Sequence, residues 1–234
     1  MTIVDFVALG IAALIVLAAL YKGFIHTAFS TVLTVICVAL SFLLIDVGAN
    51  VIHSNEELYN MLLYYTEGSE FIVDSETSRR DITTISNTEL EEIIQKSGLP
   101  FHISKEIIEN VELEAFASEG VITLGDYFNN TIVNVFINLF SFLFWFITLK
   151  VVSAFLLNWV DYSFNLPKFT RFDALYSIAM SLFHSVLVLF ILFMICPVLI
   201  TMLPFDFITE VIEESTFAKL FYESNFLLNW IPGV

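Results

Sequence analysis

Four long apolar runs are separated by polar stretches: Val4–Tyr21, Thr27–Ile45, Asn129–Leu149 and Phe172–Met202. A helix rises about 1.5 Å per residue, so about 20 apolar residues cross a hydrocarbon layer of about 30 Å. The last run is the longest. After Asp173 it holds no charged side chain other than a possible charge on His184. It has length to spare for tilt, with a kink expected at Pro197 and an end at Pro204. Only Lys22 to His26 separate the first two runs, which makes them a tight antiparallel hairpin. Gly23 suits the left-handed position after a helix and Lys22 the negative end of its dipole. The third run is expected to continue as a helix to about Val160. Asp161–Arg171 then forms a second short loop and closes a second hairpin. The expected fold is all-α: an integral membrane four-helix bundle of two hairpins, with a small helical extracytoplasmic region between them.

Polar residues inside the runs recur at helical spacing. Ser177, Ser181 and Ser185 stand at i, i+4, i+8. Small residues so placed let a second helix come close, which matters in lipid because contact packing drives helix association there. Thr27, Thr31, Thr34, Cys37 and Ser41 form a weakly polar stripe on the second run. Asn130, Asn134, Asn138 and Ser141 do so on the third. Unpaired amides in lipid are costly, so the Asn stripe is expected to face protein. Each stripe reads either as a packing seam or as the lining of a polar passage. Lys150 is expected to snorkel to the membrane surface, the alternative being an internal pair with Asp161 or Asp173. His26 and His184 lie toward one end of the spans and read as interfacial polar residues or as a proton-responsive pair.

Residues 47–130 carry most of the charge. From Asp46 to Asp126 there are 17 acidic and 4 basic residues, a local charge of −13 within a chain total of −16. Helical patterns are expected at Asn55–Tyr65, at Thr88–Lys96 capped by Ser86 or Asn87, and at Lys105–Ala117 capped by Ser104. Their apolar positions make a small core or lie on a membrane surface. The tail after 205 is acidic and rich in Phe and reads as amphipathic helices on the interface. The chain thus divides into a first hairpin (1–46), an acidic region (47–130), a second hairpin (131–204) and a tail (205–234). Lys22, Lys168 and Arg171, with Lys150 nearby, mark one side as cytoplasmic by the positive-inside rule. Both termini and residues 47–130 are then extracytoplasmic, and the start lacks the basic segment of a cleavable signal.

The chain is 58% hydrophobic with 25 Phe, and its mean hydropathy is +0.84. These values point to lipid as its surroundings. The acidic balance argues against nucleic acid as a partner. Cys37 and Cys196 lie in apolar runs and read as small spacers. No nucleophile elbow, zinc-protease, phosphate-loop or zinc-finger spacing occurs, so no enzyme, cofactor or metal site is expected.

Two stretches resemble the colicin V production (CvpA) family. The first is Y-K-G-F-I-H-T-A-F-S with Asp5 upstream, holding Lys22, Gly23 and Phe24. The second is F-D-A-L-Y-S-I-A-M-S-L-F-H-S, where Asp173 matches the family's Asp, Ser177, Ser181 and Ser185 stand at its glycines, and His184 holds its basic position. The tail S-N-F-L-L-N-W-I is similar as well. Ala174 replaces the family's Arg and Thr27 its acidic residue, and the acidic region is long. The resemblance implies a bacterial cytoplasmic-membrane protein, an accessory or scaffold factor in toxin (bacteriocin) production or secretion and in envelope homeostasis. Gly23, Asp173, the three serines, Asn134 and Asn138 would hold helices or a partner together. Its partners would be membrane lipid and a protein or a second copy. The alternative is a subunit of an oligomeric small-solute or ion transporter or channel, with Asn134, Asn138, Thr34 and His184 lining the route.

Overall fold

A computed structural model of the chain describes residues 2–168, 172–202, 210–212 and 214–234. Arg171, Pro204 and the first residues of the tail lie outside them. The described residues are helical and contain no strand, only one isolated bridge between Asp81 and Thr123. The helices are α1 (Ile3–Lys22), α2 (Phe24–Leu43), α3 (Ile45–His53), α4 (Glu56–Thr66), α5 (Ser75–Ser78) and α6 (Asn87–Ser97). They continue as α7 (Phe101–Glu112), α8 (Leu124–Phe164), α9 (Asp173–Phe193), α10 (Cys196–Met202) and α11 (Thr216–Glu223). Four continuous or nearly continuous stretches are long and apolar enough to cross a membrane: Ile3–Lys22, Phe24–His53, Leu124–Phe164 and Asp173–Thr201.

The chain forms two compact units, built from residues 1–44, 142–196 and 205–227, and from 45–141, 197–204 and 228–234. This partition cuts across the four segments read along the sequence. The cause is α8, an unbroken helix of 41 residues that contributes to both units.

In the first unit, α9 packs on both α1 and α2. Most buried positions of these helices are small or polar: Ala8 and Ala19 on α1, the Thr27/Thr31/Thr34 stripe on α2, and Ser177, Ser181 and Ser185 on α9, with Leu189, Ile191 and Phe193 buried only toward the end of α9. Most long apolar residues point the other way. Leu14, Phe29, Phe155 and Phe183 are each more than half exposed. This is the inverse of a water-soluble core, where such side chains would be hidden. Helices α1, α2 and α9 hold 20, 20 and 21 residues, a rise of about 30 Å each, and residues 142–164 of α8 rise about 35 Å. α8 meets α2 through longer side chains, Phe142 on Phe42 with ring centroids 4.5 Å apart. α9 ends at Phe193, the residue whose carbonyl the Pro197 ring would strike, so the expected kink is a break. α11 packs on α1 and α9.

The second unit has an ordinary apolar core, with Leu90, Ile103, Ile107, Leu124, Tyr127, Phe128 and Ile132 all 2% exposed or less. Ala49, Val133 and Ile137 meet Tyr59, Leu62 and Leu63, which seats α3 and α4 on the first half of α8. Asn55 and Ser86 cap α4 and α6 by accepting from Leu58 N and Glu89 N, and Gly98 ends α6 in the left-handed conformation. Ser104 is not a cap: α7 begins at Phe101 behind Pro100, and the Ser104 hydroxyl donates to Leu99 O within the first turn. A proline at that boundary already provides the helical start.

Residues 228–234 are not an interfacial helix either. Leu228 and Ile231 are buried, and the Gly233 peptide is gripped from α7. Its N–H donates to Glu106 Oε2 at 2.9 Å, and its carbonyl accepts from Asn110 Nδ2 at 2.9 Å. Glu106 and Asn110 stand four apart on one helix face. A side chain at 233 would meet Glu106 Cβ at 2.8 Å, so only glycine fits there.

Candidate functional site

The polar groups of the first unit converge where α1, α2, α8 and α9 face one another. On α2 each threonine hydroxyl turns back onto its own helix. Thr27 donates to Gly23 O at 2.9 Å, Thr31 to Thr27 O at 2.8 Å and Thr34 to Ser30 O at 2.8 Å. A hydroxyl has one proton and two lone pairs. With the proton used inside the helix, the lone pairs remain as acceptors facing outward. Two basic side chains use them. His184 Nδ1 lies 2.9 Å from Thr31 Oγ1, and because the Thr31 proton is committed to Thr27, the ring nitrogen is the donor. The Lys150 ammonium bonds Thr34 Oγ1 and lies 3.5 Å from Ser30 O. Lys150 therefore does not snorkel, nor does it pair with Asp161 or Asp173. It turns inward onto α2, where the hydroxyl row offers neutral acceptors. It makes no salt bridge among the described residues.

Asp161 pairs with Lys22 instead, at 3.4 Å, with Asn158 Oδ1 at 3.3 Å from the same nitrogen. This joins the end of α1 to α8. Gly23 and Asp173, separate motif residues in the sequence, come together. The Asp173 carboxylate accepts from Phe24 N at 3.3 Å and caps α2 from the start of α9. Gly23 has φ +92°, and a side chain there would meet Asp173 Oδ2 at 3.2 Å and Lys168 Cγ at 3.3 Å. Lys168 Nζ accompanies this turn by donating to Tyr21 O at 3.0 Å. The left-handed glycine is thus required twice, by its backbone and by its neighbours.

Of the serine row, Ser181 and Ser185 donate to Ile178 O and Ser181 O, while the Ser177 hydroxyl is buried without a partner. The row is used for close approach rather than for bonds between helices. His26 lies on α2 beside Lys22, and its buried Nε2 has no hydrogen-bond partner. A cavity of about 170 Å³ lies here, lined by Ala18, Ala19, Lys22, His26, Thr27, Ser30 and His184, with Ile15.

The Asn stripe of α8 lies in the second unit and is buried, turned to protein. Asn129 accepts from Gly68 N and donates to Leu63 O; Asn130 accepts from the Tyr59 hydroxyl. Asn138 Nδ2 donates to Pro232 O at 2.9 Å and Val234 O at 3.1 Å. Ser141 donates to Ile45 O at 2.7 Å, beside the break that divides α2 from α3. Asn134 is buried with its Oδ1 unbonded. These amides serve groups of α4, the turn at Gly68 and the last residues of the chain.

Sequence reasoning missed Asp5. It has no exposed surface and accepts from Thr2 N at 2.8 Å, Ser215 Oγ at 2.7 Å and Phe217 N at 2.9 Å. One carboxylate thereby serves the N-termini of both α1 and α11. The Ser-Thr-Phe start of α11 signals a cap, but nothing local in the sequence tells which carboxylate joins it. No group of three or more His, Cys, Asp or Glu poised for a metal occurs among the described residues. No family model, no curated protein and no solved structure matches the chain.

Proposed function

We propose that this chain is a non-enzymatic, multi-pass protein of the bacterial cytoplasmic membrane, a CvpA-like accessory or scaffold factor in toxin production or secretion and envelope homeostasis. One observation carries the membrane part. Four helical segments are long and apolar enough to cross a bilayer, and α1, α2 and the first half of α9 expose most of their long apolar side chains while hiding mainly small and polar ones. In this reading they form a bundle of two hairpins, with Lys22 and Lys168 at the cytoplasmic ends. Parity of crossing then puts the acidic residues 47–130 outside. The scaffold part is supported by how the seam is used. Thr31 holds His184, Thr34 holds Lys150, and Asp161 holds Lys22, so the ionisable side chains join helices to one another. The accessory role rests on the family resemblance of the Lys22–Gly23 and Asp173–Ser185 stretches, and on Gly23 meeting Asp173.

The test is crosslinking in intact membranes followed by purification in mild detergent and mass measurement. A second copy or a defined protein partner is expected to co-purify. A chain recovered only as an uncrosslinked monomer contradicts the scaffold reading. The cavity beside His184 favours a second reading, a subunit of an oligomeric transporter. Flux in reconstituted vesicles that Lys150→Met abolishes would favour that reading over the first.

A further inference from the structure

Lys150 poses an electrostatic problem that the chain itself does not solve. An ammonium within an apolar span is costly unless an opposite charge or water accompanies it. Its partners are a hydroxyl oxygen and a backbone carbonyl, both neutral. Of the two carboxylates on the same helix, Asp161 is committed to Lys22, and Asp126 accepts from Thr123 in the first turn, 24 residues before Lys150. Next to this charge lies the 170 Å³ cavity, and Ser30 belongs to both: its carbonyl faces Lys150 and the residue lines the cavity. The lining brings Lys22, His26 and His184 together; the Asp161 carboxylate is not part of it but pairs with Lys22 beside it at 3.4 Å, so a bound anion shares Lys22 with Asp161. His26 contributes a buried ring nitrogen with no partner. His184 donates to Thr31 through Nδ1–H, so its Nε2 carries a lone pair and donates to an anion only once the ring takes up a proton.

We propose that this cavity binds a phosphate-type oxyanion, held by Lys22, His26, Ser30 and His184, with the Lys150 ammonium as its counter-charge. The volume equals that of several waters, enough for a tetrahedral group. Lys22 donates from α1 and the α2 residues from a second side, with His184 joining from α9 as it takes up a proton from the acid form of the ligand or from water. A tetrahedral oxyanion accepts along several directions where a single-atom anion offers one centre. Lys22 is the last residue of α1, at the depth of lipid headgroups if α1 spans the bilayer. Two sources therefore share this chemistry: free phosphate, and the phosphodiester of an anionic lipid. The inference needs only the geometry of the first unit and is independent of the scaffold role.

The experiment uses the full chain with its four histidines labelled with ¹⁵N in the ring, and His26→Gln and His184→Gln to assign the signals. Inorganic phosphate is titrated in detergent, with chloride at matched ionic strength as control. In parallel, phosphate-free nanodiscs of phosphatidylglycerol are compared with nanodiscs of an uncharged glycolipid. Saturable movement of both the His26 and His184 signals with phosphate supports the site and a free anion as its ligand. The same movement only with phosphatidylglycerol supports the site and a lipid headgroup. In either case Lys150→Met is expected to weaken binding by about tenfold or more, a loss of about 1.4 kcal/mol. Ser30→Ala, a milder change, is expected to weaken it less. No movement in either arm, an equal response to chloride, or unchanged binding in Lys150→Met overturns the proposal.

Discussion

Gly23 shows how much one residue settles. Its φ of +92° strains any side chain there, and a Cβ 3.2–3.3 Å from Asp173 and Lys168 would push those side chains aside. Gly23→Ala is expected to cost about 1–3 kcal/mol, read as an earlier midpoint in a denaturing-detergent titration. Lys150 and Thr34 make an opposed pair. Thr34→Val removes an acceptor from a partly buried ammonium and should destabilise by roughly 1–3 kcal/mol. Lys150→Met removes the charge with similar bulk and should be neutral or stabilising. If both variants lose stability equally, the hydroxyl row is not the acceptor array described here. The sequence showed Thr27, Thr31 and Thr34 as a stripe and named Lys150, His26 and His184. It did not show that the hydroxyl protons are spent inside α2. That partition depends on which helix sits opposite, and spacing along one helix carries no such information.

At the scale of elements, the spans were legible because twenty apolar residues have few other uses. The length of α8 was not. Leu124–Asn130 is polar enough to read as a loop, but tertiary burial around Tyr127 and Phe128 keeps it helical and hides it from hydropathy. The seating of α11 was also invisible, because Asp5 and Ser215 stand 210 residues apart. Asp5→Ala is expected to release α11, read as faster hydrogen exchange at Phe217 and Ala218 and faster tryptic cleavage after Lys219. On α7, His102 is buried, which pulls its imidazole down to about 4 from an ordinary value of 6.5. The unfolded chain binds this proton more readily, so the neutral ring's stabilisation is complete above pH 6.5 and lost as pH falls toward 4. The loss is about 3 kcal/mol at most. The nearby Glu106 is shifted upward by burial, so its contribution runs the other way: complete below the usual carboxylate range and fading as pH rises. His102→Phe should therefore flatten the loss of stability as pH falls from 6.5 to 4, while Glu106→Gln should flatten the opposite loss as pH rises out of the usual carboxylate range.

For the whole molecule, the account joins two kinds of interior. In one unit the seam of α1, α2 and the start of α9 hides mainly small and polar side chains and shows Leu and Phe; the other unit hides Leu, Ile and Phe and shows most of its acids. A single solvent does not favour both, and a bilayer beside water does. The direct measurement is the sidedness of labelling. With Cys37 and Cys196 replaced by Ser, single cysteines at the exposed Glu91→Cys and Pro167→Cys are treated with a membrane-impermeant maleimide, in intact cells and after permeabilisation. Odd numbers of crossings separate these positions, so only Glu91→Cys should react in intact cells, with Pro167→Cys reacting after permeabilisation. Equal reaction of both in intact cells, or recovery of the chain in the soluble fraction, would contradict the account.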